Sequence, residues 1–320
     1  MIVARTVAEL RAALRSLPRP LGFVPTMGAL HTGHLSLLAA ARERCASVAA
    51  SVFVNPAQFG EGEDYDAYPR DEGRDLELLA RAGADVVFVP APHEMYPDGF
   101  ATTVSVRGPL TESWEGASRP GHFDGVALVV LKLLNAVGPD IVCFGQKDAQ
   151  QLAVIRRFAH DLALPLEIAS VPTVREPDGL AMSSRNAYLT PAERAVAPDL
   201  YRALMAGASA AGADGASPKN VIAAAAMLLA APDAALKDDD DARRELAEPA
   251  RPTPPRFEID YVAVVDATTF ALETALGPRS LLVAAVRLGR TRLIDNTALP
   301  QRAYPATDAT SRKESPGWPQ

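Results

Sequence analysis

His31 and His34 flank Gly33 at the end of the string Pro25-Thr26-Met27-Gly28-Ala29-Leu30-His31-Thr32-Gly33-His34. Two imidazoles at the start of a helix can donate hydrogen bonds to phosphoryl oxygens. Free backbone N–H groups and the positive end of the helix dipole draw negative charge to the same place. A second segment, Gly145-Gln146-Lys147-Asp148, offers Lys147 as a point charge for a triphosphate and Asp148 as a ribose or metal contact. Gln151 follows Lys147 by one helical turn and shares its side of the helix. A third segment, Met182-Ser183-Ser184-Arg185, brings two hydroxyls, backbone amides and a guanidinium into one loop, a set suited to phosphate. Each segment also has an ordinary reading: loop histidines and a helix cap, a surface lysine, a serine pair. Together they describe a nucleotide site built from three separated pieces of chain.

Such pieces need strand ends to carry them. Thr6-Val7-Ala8-Glu9 reads as a capping box opening the first helix, and residues 21–25 read as the first strand. Thr32 reads as the N-cap of the next helix, with His34 on an exposed first turn. Gly33 reads as a gap in side chains where backbone meets ligand. Further strands are predicted over 48–54, 85–90, 141–144 and 166–171, and helices over 71–82, 123–137 and 149–162. Residues 60–70 read as a mobile surface loop. Short apolar strands alternating with helices predict an α/β fold with a Rossmann-like parallel sheet. Its ligands bind outside the carboxyl ends of the strands, at the topological switch point.

Beyond about Val174 the pattern changes to Ala-rich helices over 191–213 and 217–231. Strands follow over 257–265, 281–288 and 291–294, the last two joined by a tight turn at Leu288-Gly289-Arg290. The expected division is a nucleotide- and substrate-binding unit over 1–174, a smaller α+β unit over 175–302 and a flexible tail over 303–320. Residues 237–255, with the acidic run 238–241, read as a disordered insertion. A Mg²⁺ site in that run is the sharper alternative.

The chain has 320 residues and a formal net charge of −7, which excludes a general nucleic-acid binder but not a local basic pocket. The two cysteines, Cys45 and Cys143, sit in apolar contexts and read as buried free thiols of a reducing compartment. No signal-peptide pattern and no membrane-spanning apolar run is evident, so a cytoplasmic protein is expected.

The motifs together resemble the pantothenate synthetase (pantoate–β-alanine ligase) family. The strings that carry the resemblance begin with the segment ending in His34, then Phe53-Val54-Asn55-Pro56-x-Gln58-Phe59 and Tyr68-Pro69-Arg70. They continue with Arg119-Pro120-Gly121-His122-Phe123-x-Gly125-Val126, Gly145-Gln146-Lys147-Asp148-x-Gln150-Gln151 and Met182-Ser183-Ser184-Arg185-Asn186. Asp260-Tyr261 and Thr291-Arg292-Leu293-Ile294-Asp295-Asn296 complete them. The first motif and the Met-Ser-Ser-Arg loop also look like the phosphate motifs of nucleotidyltransferases and class I aminoacyl-tRNA synthetases. Another adenylate-forming enzyme and a silent nucleotide-binding module are the competing classes. The acidic insertion, the tail and Trp114, where a smaller apolar residue is expected, depart from the family pattern.

The resemblance implies a two-step ligation: ATP and pantoate give pantoyl adenylate and pyrophosphate, then β-alanine attacks and AMP leaves. It implies catalytic roles for His31, His34, Lys147, Ser183, Ser184 and Arg185, with Mg²⁺. It assigns ATP to Met27, Gly28, Ala29, Leu30, His31, Thr32, Gly33 and His34. Gly145, Gln146, Lys147, Asp148, Val174, Met182, Ser183, Ser184 and Arg185 share that role. Pantoate and β-alanine fall to Asn55, Gln58 and Gln151, whose neutral amides suit hydroxyls and a carboxylate. A homodimer is expected, with no nucleic-acid or membrane partner.

Overall fold

The computed structural model describes residues 1–60, 62–230 and 255–300. Apart from Pro255, the expected insertion, with its acidic run, and the expected tail lie outside these residues.

Strands β1 (Ile2–Ala4), β2 (Leu21–Thr26), β3 (Ser47–Val52), β4 (Val86–Phe88), β5 (Ile141–Gly145) and β6 (Glu167–Val171) form a parallel sheet in the order β1-β4-β3-β2-β5-β6. The connecting helices are α1 (Val7–Leu14), α2 (Thr32–Arg44), α3 (Glu72–Arg81), the single turns α4 (Pro92–Met95), α5 (Pro109–Glu112) and α6 (Glu115–Ser118), then α7 (His122–Val137) and α8 (Ala149–Asp161). The predicted Rossmann-like sheet is therefore present. Side chains alternate between its two faces, as the two-residue period of a strand requires. Phe23, Ala49, Phe88 and Phe144 pack with Leu10, Val130 and Ile155 of α1, α7 and α8. Val24, Ala50, Val87 and Cys143 pack with Leu38 and Leu79 of α2 and α3. Both faces are covered, which is why the central strands read as continuous apolar runs. Cys45 and Cys143 are buried and free.

From β2 the chain steps to β3 and β4 on one side of the sheet, whereas β5 and β6 lie on the other. The switch point falls between β2 and β5, so the loops after Thr26 and Gly145 diverge around a crevice.

The C-terminal elements are α9 (Pro191–Val196), α10 (Asp199–Ala211), α11 (Pro218–Ala230) and an antiparallel sheet β7-β8-β9 of β7 (Phe257–Asp266), β8 (Ser280–Leu288) and β9 (Thr291–Ala298). Leu282, Ala284 and Val286 of β8 pack on Leu204 and Val221 of α10 and α11. Leu281 and Val283 face the other way, against Phe123 and Val154. Two polar ties reinforce this apolar joint. Arg292 donates from both Nη atoms to Glu115, each at 2.7 Å, and the Tyr261 hydroxyl donates to the same carboxylate at 2.7 Å. The Trp114 indole donates to the Phe270 carbonyl at 2.9 Å, so the unexpected tryptophan ties the turn before α6 to the C-terminal sheet region.

Several expectations are corrected. The first strand is Ile2–Ala4, not residues 21–25; it is a three-residue edge strand whose Ile2 is exposed, too short to show a period. The single helix expected over 191–213 splits into α9 and α10, because Pro198 has no N–H for a continuous helix. Strand β9 runs on through Asp295 and Asn296 to Ala298. The described part of the loop over 60–70 lies mostly at the surface, as expected, and also makes contacts that its composition does not announce. Tyr68 is buried, Glu63 pairs with Arg119 and Asp64 pairs with Arg185.

Candidate active site

The loop after β2 is shaped by a residue from α3. Asp75 is buried, and its two carboxylate oxygens accept from Ala29 N at 2.9 Å and Leu30 N at 2.8 Å. Burial pushes its pKa up against those two bonds. Gly28 (φ +85°) and Ala29 (φ +50°) turn the chain in the left-handed region. A Cβ at position 28 would stand 2.8 Å from Asp75 Oδ2, so glycine is required there for space as well as for φ. The Ala29 and Leu30 amides are thus taken within the protein, and the Leu30 side chain is core. Asp75→Asn places an amide N–H against a backbone N–H in this buried loop. It is expected to cost about 1–3 kcal/mol, read as a lower melting temperature, and to displace the loop that carries His31 and His34. Unchanged melting would remove Asp75 from this role.

The N-cap of α2 is His31, not Thr32. His31 Nδ1 accepts from Gly33 N at 3.1 Å, and His34 Nδ1 accepts from His31 N at 3.3 Å. The imidazoles lie 4.1 Å apart, centroid to centroid. This reciprocal cap settles their chemistry. With Nδ1 occupied as an acceptor, each neutral ring carries its proton on Nε2 and is a donor there. Burial, then the neighbouring His31, lowers the His34 pKa to about 3; burial, then Lys147, lowers that of His31. His34 is accordingly half-buried and neutral rather than on an exposed turn. Gly33 lines the cavity, and the His31 cap adds a second reason for its size: a Cβ there would lie 2.9 Å from His31 Cε1 and Nδ1.

Across the crevice, Lys147 follows β5 in a short 3₁₀ turn and its ammonium approaches Asp148 at 3.5 Å. The loop after β6 folds back on itself, with Met182 N donating to Val174 O at 3.0 Å. Ser183 Oγ accepts from Arg185 N at 3.3 Å, and Ser184 Oγ lies 3.2 Å from the Tyr68 hydroxyl. Arg185 is engaged by Asp64 through Nε at 3.1 Å and Nη2 at 3.0 Å.

The third wall comes from the turn after β3. The Asn55 amide donates to Gln58 Oε1 at 3.0 Å and to Gly125 O at 3.2 Å, and its carbonyl accepts from the Tyr96 hydroxyl at 2.7 Å. Asn55 is therefore fully buried and holds Gln58, whose Nε2 points at Met27 Sδ, 3.1 Å away. His122 Nδ1 donates to Gln58 O at 2.8 Å, which leaves Nε2 to accept from Arg119 at 3.1 Å. Arg119 is itself forked onto Glu63 at 2.8 and 2.6 Å. Burial, then Arg119, lowers the His122 pKa to about 4, so this clamp is neutral at its centre. Gln150 is buried and bridges Glu115 N, Leu110 O and Ser113 O, whereas its neighbour Gln151 faces open space.

A cavity of about 240 Å³ is lined by Met27, His31, Gly33, His34, Asn55, Gln58, Gly145, Lys147, Asp148, Gln151, Val174, Met182, Ser183, Ser184 and Arg185. A larger one of about 800 Å³ under the C-terminal sheet shares Lys147, Asp148, Gln151, Ser183 and Arg185 with it. Gly28, Ala29, Leu30, Thr32 and Gln146 line neither cavity. Asp75, Glu63, Arg119, His122 and Tyr68 shape the site, although the sequence does not single them out as site residues. Arg119, His122 and Tyr68 stand inside quoted motifs, whereas Asp75 carries no local signal.

The sequence model described as Pantoate-beta-alanine ligase matches residues 2–298. The pantothenate synthetase of Acidothermus cellulolyticus is 50% identical over 299 residues, covering 92% of this chain and 90% of its own. That of Thermus thermophilus is also 50% identical over 299 residues, covering 92% and 98%. The crystal structure of pantothenate synthetase from Thermus thermophilus superposes with a TM-score of 0.81 at 48% identity, covering 94% of this chain and 100% of that one. Pantoate-beta-alanine ligase from Francisella tularensis, solved in complex with beta-gamma ATP and beta-alanine, superposes with a TM-score of 0.72 at 31% identity, covering 93% and 97%.

Proposed function

The chain belongs to the pantoate-beta-alanine ligase family, and from that premise we propose how its cleft divides the work of the reaction. Its activity is the ATP-dependent joining of pantoate to β-alanine. In the first step a pantoate carboxylate oxygen bonds to the α-phosphorus and the bond to the β-phosphate bridging oxygen breaks, releasing pyrophosphate. In the second the β-alanine amine attacks the acyl carbon and AMP leaves. The first step displaces a highly charged group, so it depends on orientation and on donors fixed where charge accumulates. His31 and His34 supply two Nε2–H donors, Lys147 an ammonium, Ser183 and Ser184 hydroxyls. Arg185 joins them if its pairing with Asp64 opens to phosphate.

The observation that carries this reading is the reciprocal histidine cap, which makes both imidazoles neutral donors on the wall opposite Lys147. As the companion of ATP, Mg²⁺ would be held through one or two carboxylates plus substrate phosphates, and Asp148 is the carboxylate lining this cavity beside Lys147. Burial alone would raise the Asp148 pKa, but Lys147 outweighs it and holds the group below the ordinary value. Bound there, the ion would neutralise charge on the triphosphate. The backbone around Gly145 and Val174 is left for adenine and ribose.

The division into units over 1–174 and 175–302 is part of the same reading, supported by the separate apolar core that Leu204, Val221 and Leu282 share. A homodimer and a cytoplasmic location also belong to it. The exposed Ile2 and Val3 of edge strand β1 support the first, and the two free cysteines support the second. Among the described residues no helix is long and apolar enough to cross a membrane.

Gln58 and Gln151 are assigned to pantoate, and their surroundings set different expectations for their loss. The Gln151 amide has no hydrogen-bond partner among the described residues, so Gln151→Ala should raise the pantoate KM about 10–100-fold, matching about 1–3 kcal/mol, with an unchanged melting temperature. Gln58→Ala removes the partner of Asn55 as well and should lower both pantoate use and melting temperature. Both variants should discriminate less against a pantoate analogue lacking one hydroxyl. Steady-state kinetics with both substrates beside a melting curve test this; full discrimination in Gln151→Ala contradicts it.

A further inference from the structure

Strand β9 carries the adjacent polar pair Asp295-Asn296 in its second half, beyond the apolar Leu293 and Ile294. The Asn296 side chain crosses from the C-terminal sheet to the turn after β5. Its Nδ2 donates to Gln146 O at 3.0 Å and to Lys147 O at 2.9 Å. Both partners are carbonyls, so only the NH₂ end of the amide can face them. One side chain thus grips two successive peptide groups, one of them the peptide of Lys147 itself.

Asn296 is in turn held in place. Its backbone N donates to Asp295 Oδ1 at 2.8 Å. Asp295 is buried and forked by Arg175, Nη1 to Oδ2 at 2.5 Å and Nη2 to Oδ1 at 3.0 Å. Arg175 lies in the loop between Val174 and Met182, and its guanidinium lies 3.9 Å from the centroid of the Tyr201 ring. The end of β9 is therefore tied to both loops that form the far wall of the nucleotide cavity. Among the described residues the Lys147 ammonium has one polar side-chain partner, Asp148 Oδ1 at 3.5 Å, too long a contact to direct it. Its backbone orientation must do so.

We propose that Asn296 is a positioning residue for adenylation, fixing the peptide of Lys147 from the C-terminal sheet so that the ammonium meets the triphosphate. The proposal rests on the reading of Lys147 as a phosphate contact, and the test separates the two. Asn296→Ala and Asn296→Asp are made alone and in a Lys147→Ala background. The readouts are ATP–pyrophosphate exchange with pantoate, affinity for a non-hydrolysable ATP analogue, pantoate KM and melting temperature. Loss of two hydrogen bonds at a site felt in the transition state should slow exchange and weaken analogue binding about tenfold, with pantoate KM unchanged. Asn296→Asp keeps the shape and removes the donor, so it should behave as Asn296→Ala does; a packing role would leave it like the parent. In the Lys147→Ala background neither substitution should change analogue affinity by more than about twofold, because the group it positions is gone. Parent-like exchange in Asn296→Asp, or a full tenfold effect without Lys147, overturns the proposal. Parent-like binding and exchange in Lys147→Ala alone contradicts the phosphate reading itself, and the proposal falls with it.

Discussion

His34→Ala is expected to slow ATP–pyrophosphate exchange by about 10²–10³, the loss typical of a donor that strengthens in the transition state. The side chain does two things. It lines the cavity, where its Nε2–H has no partner among the described residues, and its Nδ1 accepts the His31 amide at 3.3 Å. Truncation leaves that amide without its partner, so some stability goes too, about 1–3 kcal/mol for a group shut from water. The rate loss should exceed anything the melting curve explains at assay temperature. The histidine also predicts a pH signature. Its pKa in the folded chain is about 3, against about 6.5 unfolded. Between those values the unfolded chain binds more protons, so stability falls as pH drops from about 6.5 toward about 3. His34→Ala should lose this part of the acid sensitivity. Near-normal exchange in the variant would remove His34 from the mechanism.

Gly125→Ala should damage the fold and the substrate site together. Gly125 lies in α7 where the 3₁₀ turn Pro56–Gln58 crosses it. An added Cβ would stand 2.1 Å from Ala57 O and 2.7 Å from Gln58 Cα. Those are backbone atoms, so no rotamer relieves the clash, and the turn carrying Gln58 must move away from the helix. The Asn55 bond to Gly125 O, 3.2 Å long, goes with it. Overpacking of this kind costs about 1–3 kcal/mol and occasionally more, or about 1–2 °C in melting temperature for each kcal/mol at about 2.1 cal/mol/K of unfolding entropy per residue. Pantoate KM should rise as Gln58 is displaced, while ATP affinity changes less because His31 and Lys147 sit on other loops. A variant that melts and binds pantoate like the parent would mean that the approach of the turn to α7 is not needed.

The two histidines, Lys147, Ser183, Ser184, Gln58 and Gln151 are all legible in the sequence, since their types cluster in loops that follow apolar strands. The residues that hold them are harder to read, because each acts over a long stretch of chain. Asp75 sits on an amphipathic helix and grips amides more than forty positions earlier, a pairing with no local pattern. Gly125 is one glycine in an apolar helix until its neighbour Ala57 is known. The cap of α2 is masked because Thr32 has the commoner capping side chain, whereas histidine can accept only through a suitably placed ring nitrogen. Strand β1 is too short to leave a pattern. The end of strand β9 is hidden because Asp295 and Asn296 are polar, and those two residues make the contacts that hold the nucleotide loops.

Isotope exchange between pyrophosphate and ATP tests the adenylate route most directly, because it reports the first step alone. Exchange is expected to require pantoate, to proceed without β-alanine and to find no support from amino acids in place of pantoate. Exchange of equal rate without pantoate, or exchange that appears only when β-alanine is added, would contradict the adenylate route.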